Sequence, residues 1–337
     1  MSSATAIAHP NIALAKYWGK RAGDGNVPAV PSLSVTLAGM STTTKVSFDA
    51  TLVDDELVLN GVSQAADART TVRAKQLLDR VRAAASPALR ATRARVVSAN
   101  DFPTASGLAS SASGFAALAL ASVRAAGLDW TAEQVADLAR RSSASAARSV
   151  FGGFVELDGG ASDSEPQVAG AARAIAGPSA LDLRVIVCVT TEAEKTMSST
   201  EGMGTTQAKS PYYAAWLADA PESHRLMRTA LLAGDFMRVG ELAERSALAM
   251  HACAMAAGIV YVTGPTLAAL DEVRAMRASG LSAYATIDAG PHLKCLVRSA
   301  DVAAARARLE RVPGVLRLIE ATPGEGARLV ISKGVAS

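Results

Sequence analysis

Cysteine, aromatic residues and long uncharged apolar runs are all scarce in this sequence. Its 337 residues include three cysteines, Cys188, Cys253 and Cys295, which lie far apart and in no C-x-x-C spacing. That spacing argues against a disulfide framework or a cysteine-based structural zinc site. No run of about 18 uncharged apolar residues is present, and the N-terminus lacks a basic stretch followed by an apolar one. We therefore expect no membrane span and no signal peptide, and predict a cytoplasmic protein.

Strong positive charge is also missing. Aromatic residues make up 4% of the chain and the formal net charge is +3. Both values argue against a nucleic-acid partner, which needs stacking surfaces and a basic footprint. Hydrophobic residues make up 50% and charged residues 19%, so a substantial core is expected. The length exceeds that of one compact domain, which predicts two.

Strand and helix patterns occur in both halves, which predicts an α+β fold. A polar stretch with Gly and Pro at 158–180 suggests a boundary between an N-terminal domain, 1–180, and a C-terminal domain, 181–337. Strands are predicted at 32–37, 43–48, 56–61, 93–100, 182–191, 282–287, 293–298 and toward the C-terminus at 328–334. Helices are predicted at 67–85, 113–126, 131–142, 211–219, 222–233, 235–255, 263–279 and 300–311.

The segment DFPTASGLASSASGFAALALA, residues 101–121, is rich in small residues and then turns apolar. Gly107 permits close backbone approach, and Ser110 and Ser111 stand where a helix begins, so an anion could bind at the positive helix end. The segment matches neither G-x-x-x-x-G-K-[ST] nor G-x-G-x-x-G. A phosphate cradle and a tight turn into a buried helix remain equally good interpretations of this segment alone.

Two further segments carry cations beside small residues. In NIALAKYWGK (11–20), Lys16 and Lys20 could share a face and grip a polyanion, although a solvated strand end is the better interpretation of the segment in isolation. In RRSSASAARSVFGG (140–153), Arg148 has few local partners. Its guanidinium could bind a ligand's carboxylate or phosphate, or pair with an acidic residue of the fold.

The second half adds a loop and a carboxylate. Residues 190–213 are rich in hydroxyl groups and glycine, which is typical of a mobile loop that is either a lid or merely exposed. In YATIDAGPHLKCLV (284–297), Asp288 follows an apolar strand. The Asp-x-Gly-Pro pattern favours a turn, while partial desolvation could suit Asp288 to general-base work. The four histidines form no metal-binding spacing.

These segments occur in a specific order. NIALAKYWGK, PAVPSLSVTL, NDFPTASGLASSASGFAALA, RRSSASAARSVFGGFVEL, SSTEGM and TIDAGP together resemble the diphosphomevalonate decarboxylases of the GHMP small-molecule kinase superfamily. The resemblance implies a GHMP-kinase-like fold, with an N-terminal half like ribosomal protein S5 domain 2, a ferredoxin-like C-terminal half, and a homodimer. It also implies conversion of mevalonate 5-diphosphate and ATP into isopentenyl diphosphate, ADP, phosphate and CO2, with Mg²⁺ arriving on ATP rather than in a protein metal site.

The resemblance also implies roles for individual residues. Asp288 acts on the C3 hydroxyl of the substrate as a base or an orienting carboxylate, Arg148 holds the departing carboxylate, and Lys16 lies in the same catalytic group. Loop 196–206 closes over ATP. The implied substrate-binding residues are Tyr17, Lys20, Arg73, Ser143, Ser145, Arg148 and Ser198. The implied ATP-binding residues are Ser98, Asn100, Gly107, Ser110 and Ser111.

The sequence departs from the family pattern at several positions. Ser142, Ala144 and Ala147 replace Gly, Gly and Cys of R-R-G-S-G-S-A-C-R-S, His292 replaces Asn, and the segment after His251 has no proline until Pro265. These changes leave open a phosphomevalonate decarboxylase or a mevalonate 3-kinase of the same fold. A non-catalytic binding protein of that fold is the alternative from another class, although the retained Lys16, Ser111, Arg148 and Asp288 argue against it.

Overall fold

The computed structural model describes residues 2–23, 25–102, 110–159, 170–193 and 197–330. In the first half, the strands are β1 (Ser2–Ala8), β2 (Asn11–Ala15), β3 (Ser32–Ala38), β4 (Thr42–Asp49), β5 (Glu56–Leu59), β6 (Val62–Ser63), β7 (Arg93–Asn100), β8 (Phe154–Leu157) and β9 (Ala172–Ala176). The helices are α1 (Arg69–Ala84), α2 (Pro87–Arg90), α3 (Ser110–Ala125), α4 (Ala132–Ser142) and α5 (Ala144–Ser149).

The second half has more helix. Its strands are β10 (Arg184–Val189), β11 (Ala283–Ile287), β12 (Leu293–Val297), β13 (Arg317–Pro323) and β14 (Arg328–Leu329). Its helices are α6 (Ser199–Lys209), α7 (Tyr213–Leu232), α8 (Phe236–Met255), α9 (Gly264–Ala278) and α10 (Val302–Leu309). Both halves mix strands and helices, so the predicted α+β class is confirmed.

Two sheets organise these elements. The first has the order β14-β1-β4-β7-β5-β6, and α3 packs against β1 and β4. Residues on β4 alternate between buried and more exposed, as expected for a sheet with one covered face. The second sheet has the order β11-β12-β10-β13-β3-β8-β9, and β2 also pairs with β3. Residues on β11 and β12 are buried along their whole length, and α8 and α9 pack against β11.

The second sheet contains strands from both halves of the chain. The junction is between β13 and β3, where Thr322 pairs with Ala38 and Pro323 with Leu37. In the first sheet, β14 pairs with β1, which returns the C-terminal part of the chain to the N-terminal half. The division at 180/181 therefore stays a prediction, because hydrogen-bonded sheets run across it.

Three predicted elements differ from the structure. The predicted loop 196–206 is largely helix α6, which Ser198 and Glu201 begin with a reciprocal capping box. The two predicted helices 211–219 and 222–233 are one helix, α7, with Pro221 inside it. The predicted loop or extended segment around Ser143 and Ser145 contains the short helix α5. The strand predicted at 328–334 begins as β14, and residues 331–334 lie outside the described residues.

Candidate active site

A cleft of about 540 Å³ collects side chains from both halves of the molecule. The end of β2, α1, the start of α3, the α4–α5 junction, the start of α6 and the turn after β11 contribute to its walls. Six cations and one carboxylate line it, namely Lys16, Lys20, Arg69, Arg73, Arg141, Arg148 and Asp288. A cavity with this excess of positive charge is suited to polyanionic ligands.

Asp288 lies directly after β11, and each oxygen of its carboxylate has its own lysine. Lys16 Nζ is 2.6 Å from Oδ1, and Lys294 Nζ is 3.1 Å from Oδ2. Burial acts to raise the pKa of Asp288, but Lys16 and Lys294 outweigh it and hold the pKa well below its usual value. The burial of Asp288 that the sequence predicts is therefore present, but it does not produce a raised pKa. The carboxylate is anionic and suited to orienting a hydroxyl.

Lys16 follows β2 and is only 2% exposed, so the interpretation of KYWGK as a solvated strand end is wrong for this residue. Its Nζ also donates to the carbonyl of Ala13 at 2.9 Å. Burial lowers the pKa of Lys16 to about 8, against the opposing effect of Asp288. Lys16 therefore remains charged at neutral pH and keeps the carboxylate in place.

Arg148 lies in α5 and is 3% exposed. Its guanidinium donates to Ser32 Oγ at 2.8 Å and to Asn11 Oδ1 at 3.3 Å, and both are neutral acceptors. No ion pair of Arg148 occurs within the described ranges, which speaks against the alternative of a structural pair with an acidic residue. Burial lowers its pKa to about 10, so it remains a cation facing the cleft.

Tyr17, Lys20 and Arg73 also line the cleft, and their roles in substrate binding stay predictions. The buried hydroxyl of Tyr17 has no hydrogen-bond partner among the described residues. Lys20 donates to Asn26 Oδ1 at 2.7 Å and to Thr200 Oγ1 at 3.2 Å. Burial, with Arg73 and Arg69 nearby, lowers its pKa to about 8. These groups provide hydrogen-bond donors and positive charge along one wall.

The serines predicted to bind substrate lie at helix ends. Ser143 Oγ and Ser145 Oγ are 3.3 Å apart at the α4–α5 junction, and Arg73 Nε donates to the neighbouring Ser142 carbonyl at 2.8 Å. Ser198 caps α6, and its Oγ accepts hydrogen bonds from Glu201 N and from Arg69 Nη1, each at 3.2 Å. All these serines line the cleft.

Only part of the predicted ATP-binding set is on the cleft wall. Ser110 and Ser111, at the start of α3, line the cleft. Ser98 and Asn100 do not, because their side chains are engaged across the first sheet. Ser98 Oγ lies 2.8 Å from Thr44 Oγ1, and Asn100 Oδ1 accepts from the Thr42 hydroxyl. Gly107 lies outside the described residues.

Thr42 connects Asn100 to the start of α3, because its hydroxyl oxygen is 2.6 Å from Ser113 Oγ. Asn100 therefore supports the helix whose first residues line the cleft. The contacts of Ser98 and Asn100 with ATP that the family resemblance implies stay predictions.

The departures from the family pattern are accommodated locally. His292 is fully buried, and its Nδ1 accepts from Thr190 N at 3.2 Å, which leaves the proton on Nε2. Burial, with Lys294 and Arg317 nearby, lowers its pKa to about 3, so it is neutral. In the proline-free segment, Tyr261 packs edge-on against Trp18 with ring centroids 6.0 Å apart. Neither His292 nor Tyr261 lines the cleft.

Sequence reasoning missed Lys294 and Asn11. Asn11 lines the cleft and donates from Nδ2 to the Ser145 carbonyl at 2.9 Å and to Ser149 Oγ at 2.7 Å. The sequence signal for Lys294 is a charged residue in a strand whose other residues are apolar, because a buried lysine needs a partner.

The described residues contain no cluster of three His, Cys, Asp or Glu side chains able to hold a metal ion. The carboxylate of Asp288 is already paired with two ammonium groups. None of the helices in the described ranges combines the length and apolar character of a membrane span.

An α+β molecule whose cationic cleft holds one paired carboxylate has the make-up of an enzyme that handles phosphorylated substrates. Residues 8–169 match the model of the diphosphomevalonate decarboxylase-like N-terminal domain, and residues 185–318 match the mevalonate 5-diphosphate decarboxylase C-terminal domain. The chain belongs to the diphosphomevalonate decarboxylase family.

Similar proteins cover nearly the whole chain. A diphosphomevalonate decarboxylase of Candida albicans is 34% identical over 304 residues, covering 87% of this chain and 83% of that protein. A phosphomevalonate decarboxylase of Haloferax volcanii is 37% identical over 279 residues, covering 81% of each. A solved structure described as MDDEF in complex with MVAPP, AMPPCP and magnesium has a TM-score of 0.88 and 38% identity, and covers 98% of this chain and 99% of that one.

Proposed function

We propose that this protein catalyses the ATP-dependent decarboxylation of mevalonate 5-diphosphate to isopentenyl diphosphate, ADP, phosphate and CO2. The observation that carries the proposal is the combination of Asp288, Lys16 and buried Arg148 in one cationic cleft of a decarboxylase fold. The solved relative with MVAPP, AMPPCP and magnesium supports a substrate diphosphate, ATP and Mg²⁺ as the ligands. A cytoplasmic homodimer is part of the same proposal.

Phosphoryl transfer needs positioning and neutralised charge rather than a covalent nucleophile. Asp288 accepts a hydrogen bond from the C3 hydroxyl and orients the hydroxyl oxygen toward the γ-phosphorus of ATP. As this oxygen bonds to the γ-phosphorus, the bond between the γ-phosphorus and the bridging oxygen of ADP breaks, ADP leaves with the electron pair, and the hydroxyl proton passes to an oxygen of the transferred phosphoryl group. Lys20, Arg73 and Tyr17 hold phosphate oxygens, as do the first residues of α3. Mg²⁺ bound to the nucleotide supplies further neutralisation of phosphate charge.

Decarboxylation follows once C3 carries a phosphate. The C3–O bond breaks, phosphate leaves with the electron pair, and positive charge develops at C3. The bond between C2 and the carboxylate then breaks, so that its electrons form the C2–C3 double bond and CO2 departs. Arg148 orients that carboxylate, and its burial among neutral partners reserves its charge for the ligand.

The test is an assay of the purified protein with ATP and either mevalonate 5-diphosphate or mevalonate 5-phosphate. We expect equal release of ADP and labelled CO2 from the diphosphate. Preference for the monophosphate would match the activity named for the Haloferax volcanii relative and would replace the proposed substrate. Release of ADP without CO2 would indicate a kinase and would contradict decarboxylation.

A further inference from the structure

Lys294 occupies a position in β12 that the surrounding pattern assigns to an apolar residue. The strand lies between β11 and β10, and Lys294 pairs with Thr286 on one side and with Val187 on the other. Lys294 is 1% exposed, and its neighbours Leu293 and Cys295 are fully buried. An ammonium group in such a position is unfavourable unless a partner compensates its charge.

The compensating partner is the carboxylate in the cleft. Within the described residues, the one ion pair of Lys294 is with Asp288 Oδ2, at 3.1 Å. Lys16 holds the other oxygen, Oδ1, at 2.6 Å. Each lysine therefore pairs with one oxygen of the carboxylate, Lys16 from the end of β2 and Lys294 from inside the second sheet.

We propose that Lys294 is a positioning residue for the decarboxylation reaction, which fixes Oδ2 of Asp288 so that the carboxylate presents one orientation to the substrate hydroxyl. This inference rests on the proposed function. Lys294 is absent from the cleft wall, so it acts through Asp288 rather than on the substrate. An anchor on each oxygen prevents rotation of the carboxylate, and such preorganisation is what proximity and orientation in catalysis require.

The ionisation of Asp288 gives this role a measurable signature. The charged and titratable groups that act on it are Lys16 just after β2, Lys294 from β12, Arg148 from α5 and His251 from α8. Burial holds the pKa of His251 at about 4, so it is neutral near pH 7. Removing the charge of Lys294 therefore raises the pKa of Asp288, since burial then meets less opposition.

The test is Lys294→Met, which keeps the length of the side chain and removes its charge. We expect kcat to fall on the order of 10²-fold, while KM for both substrates stays at the wild-type value. The pKa of Asp288 should rise by about 1 to 3 pH units, so an acid limb should enter the kcat–pH profile at higher pH than in the wild type. Lys294→Gln gives the same test if the methionine variant does not fold.

Arg82→Met is the matched control. It removes another buried cation, which pairs with Asp55 at 2.8 Å and does not line the cleft, so we expect lower stability with unchanged kcat and acid limb. Wild-type kcat and acid limb in a folded Lys294 variant would overturn the proposal, and so would a raised KM with unchanged kcat. If the wild-type enzyme releases no CO2, the proposed function fails. A ¹³C NMR titration of Asp288 in both proteins then decides the role of Lys294 without any turnover.

Discussion

Asp288 illustrates how a carboxylate can be partly buried and still strongly acidic. Its side chain is 25% exposed, and two lysines contact its two oxygens. An isolated carboxyl in this position would take up a proton more readily, because burial disfavours charge. The paired ammonium groups reverse that effect, and the result is a fixed anion directly after the end of β11.

Asp288→Asn should leave substrate affinity close to that of the wild type but lower kcat by at least about 10²-fold. The amide keeps the shape of the side chain, yet it loses the charge that orients the substrate hydroxyl. Steady-state measurement of kcat and KM, with a thermal melt to confirm folding, checks this expectation. Near-normal turnover by a folded variant would remove Asp288 from the reaction.

Lys16 and Lys20 should together produce a steep basic limb in kcat/KM. Burial lowers the pKa of each to about 8, so each loses its proton and its charge as pH rises through that value. Because kcat/KM reports the ionisation of free enzyme, the logarithmic slope above pH 8 should approach about −2. Lys20→Arg, which keeps its charge, should reduce the slope to about −1. A flat profile up to pH 10 is incompatible with both assignments.

Some of the site could be predicted from residue types alone. Lys16, Lys20, Arg148 and Asp288 occur in short segments whose order indicates the family, and the structure brings all four to one cleft. Lys294 could not be assigned, because its partner depends on the pairing of β11 with β12. That pairing puts Lys294 opposite Thr286, two residues before Asp288 in the chain.

At the scale of elements, α6 depends on a glycine. A side-chain carbon built on Gly202 would lie 2.0 Å from the Tyr261 hydroxyl oxygen and 3.1 Å from Trp18. The absence of a side chain therefore lets α6 lie against these aromatic residues. This contact places Ser198, Ser199 and Thr200, at the start of α6, on the cleft wall.

Gly202→Ala should displace α6 and raise KM, because the serines and the threonine at its start lose their positions. Gly204→Ala in the same helix is the matched control. Gly204 has open space around its Cβ position, so we expect wild-type kinetics and a slightly more stable helix. Steady-state kinetics and thermal melts of both variants give the comparison. Equal KM values for the two would show that the contact with Tyr261 does not position α6.

The errors in predicting elements have physical causes. Gly202, Gly204 and three threonines lower the helix propensity of α6, although its Ser198-x-x-Glu201 capping box was readable from sequence. Pro221 suggested a helix boundary, but α7 packs along α8 and continues through the proline. Tertiary packing outweighs the lost hydrogen bond there, and such packing is invisible in a local pattern.

At the scale of the whole molecule, a buried carboxylate joins the two halves. Glu156 on β8 is 4% exposed in its side chain. Arg228 Nε of α7 lies 3.0 Å from its Oε1, and Arg173 Nε of β9 lies 3.1 Å from its Oε2. His224 Nε2, also on α7, is 3.4 Å from Oε1. One side chain of the N-terminal half thus pairs with a helix of the C-terminal half.

Glu156→Gln should lower the free energy of unfolding by about 1–3 kcal/mol, because it removes the negative charge of these ion pairs while the amide remains buried. The half-exposed Arg228 and exposed Arg173 recover water contacts, which limits the loss. Glu222→Gln is the control on α7: its pair with Arg225 is solvent-exposed, so the expected change is within about 0.5 kcal/mol. Urea unfolding of both variants measures these changes in the free energy of unfolding. Equal midpoints for the two variants would mean that packing of α7 on β2 and β3, rather than the Glu156 ion pairs, holds the halves together.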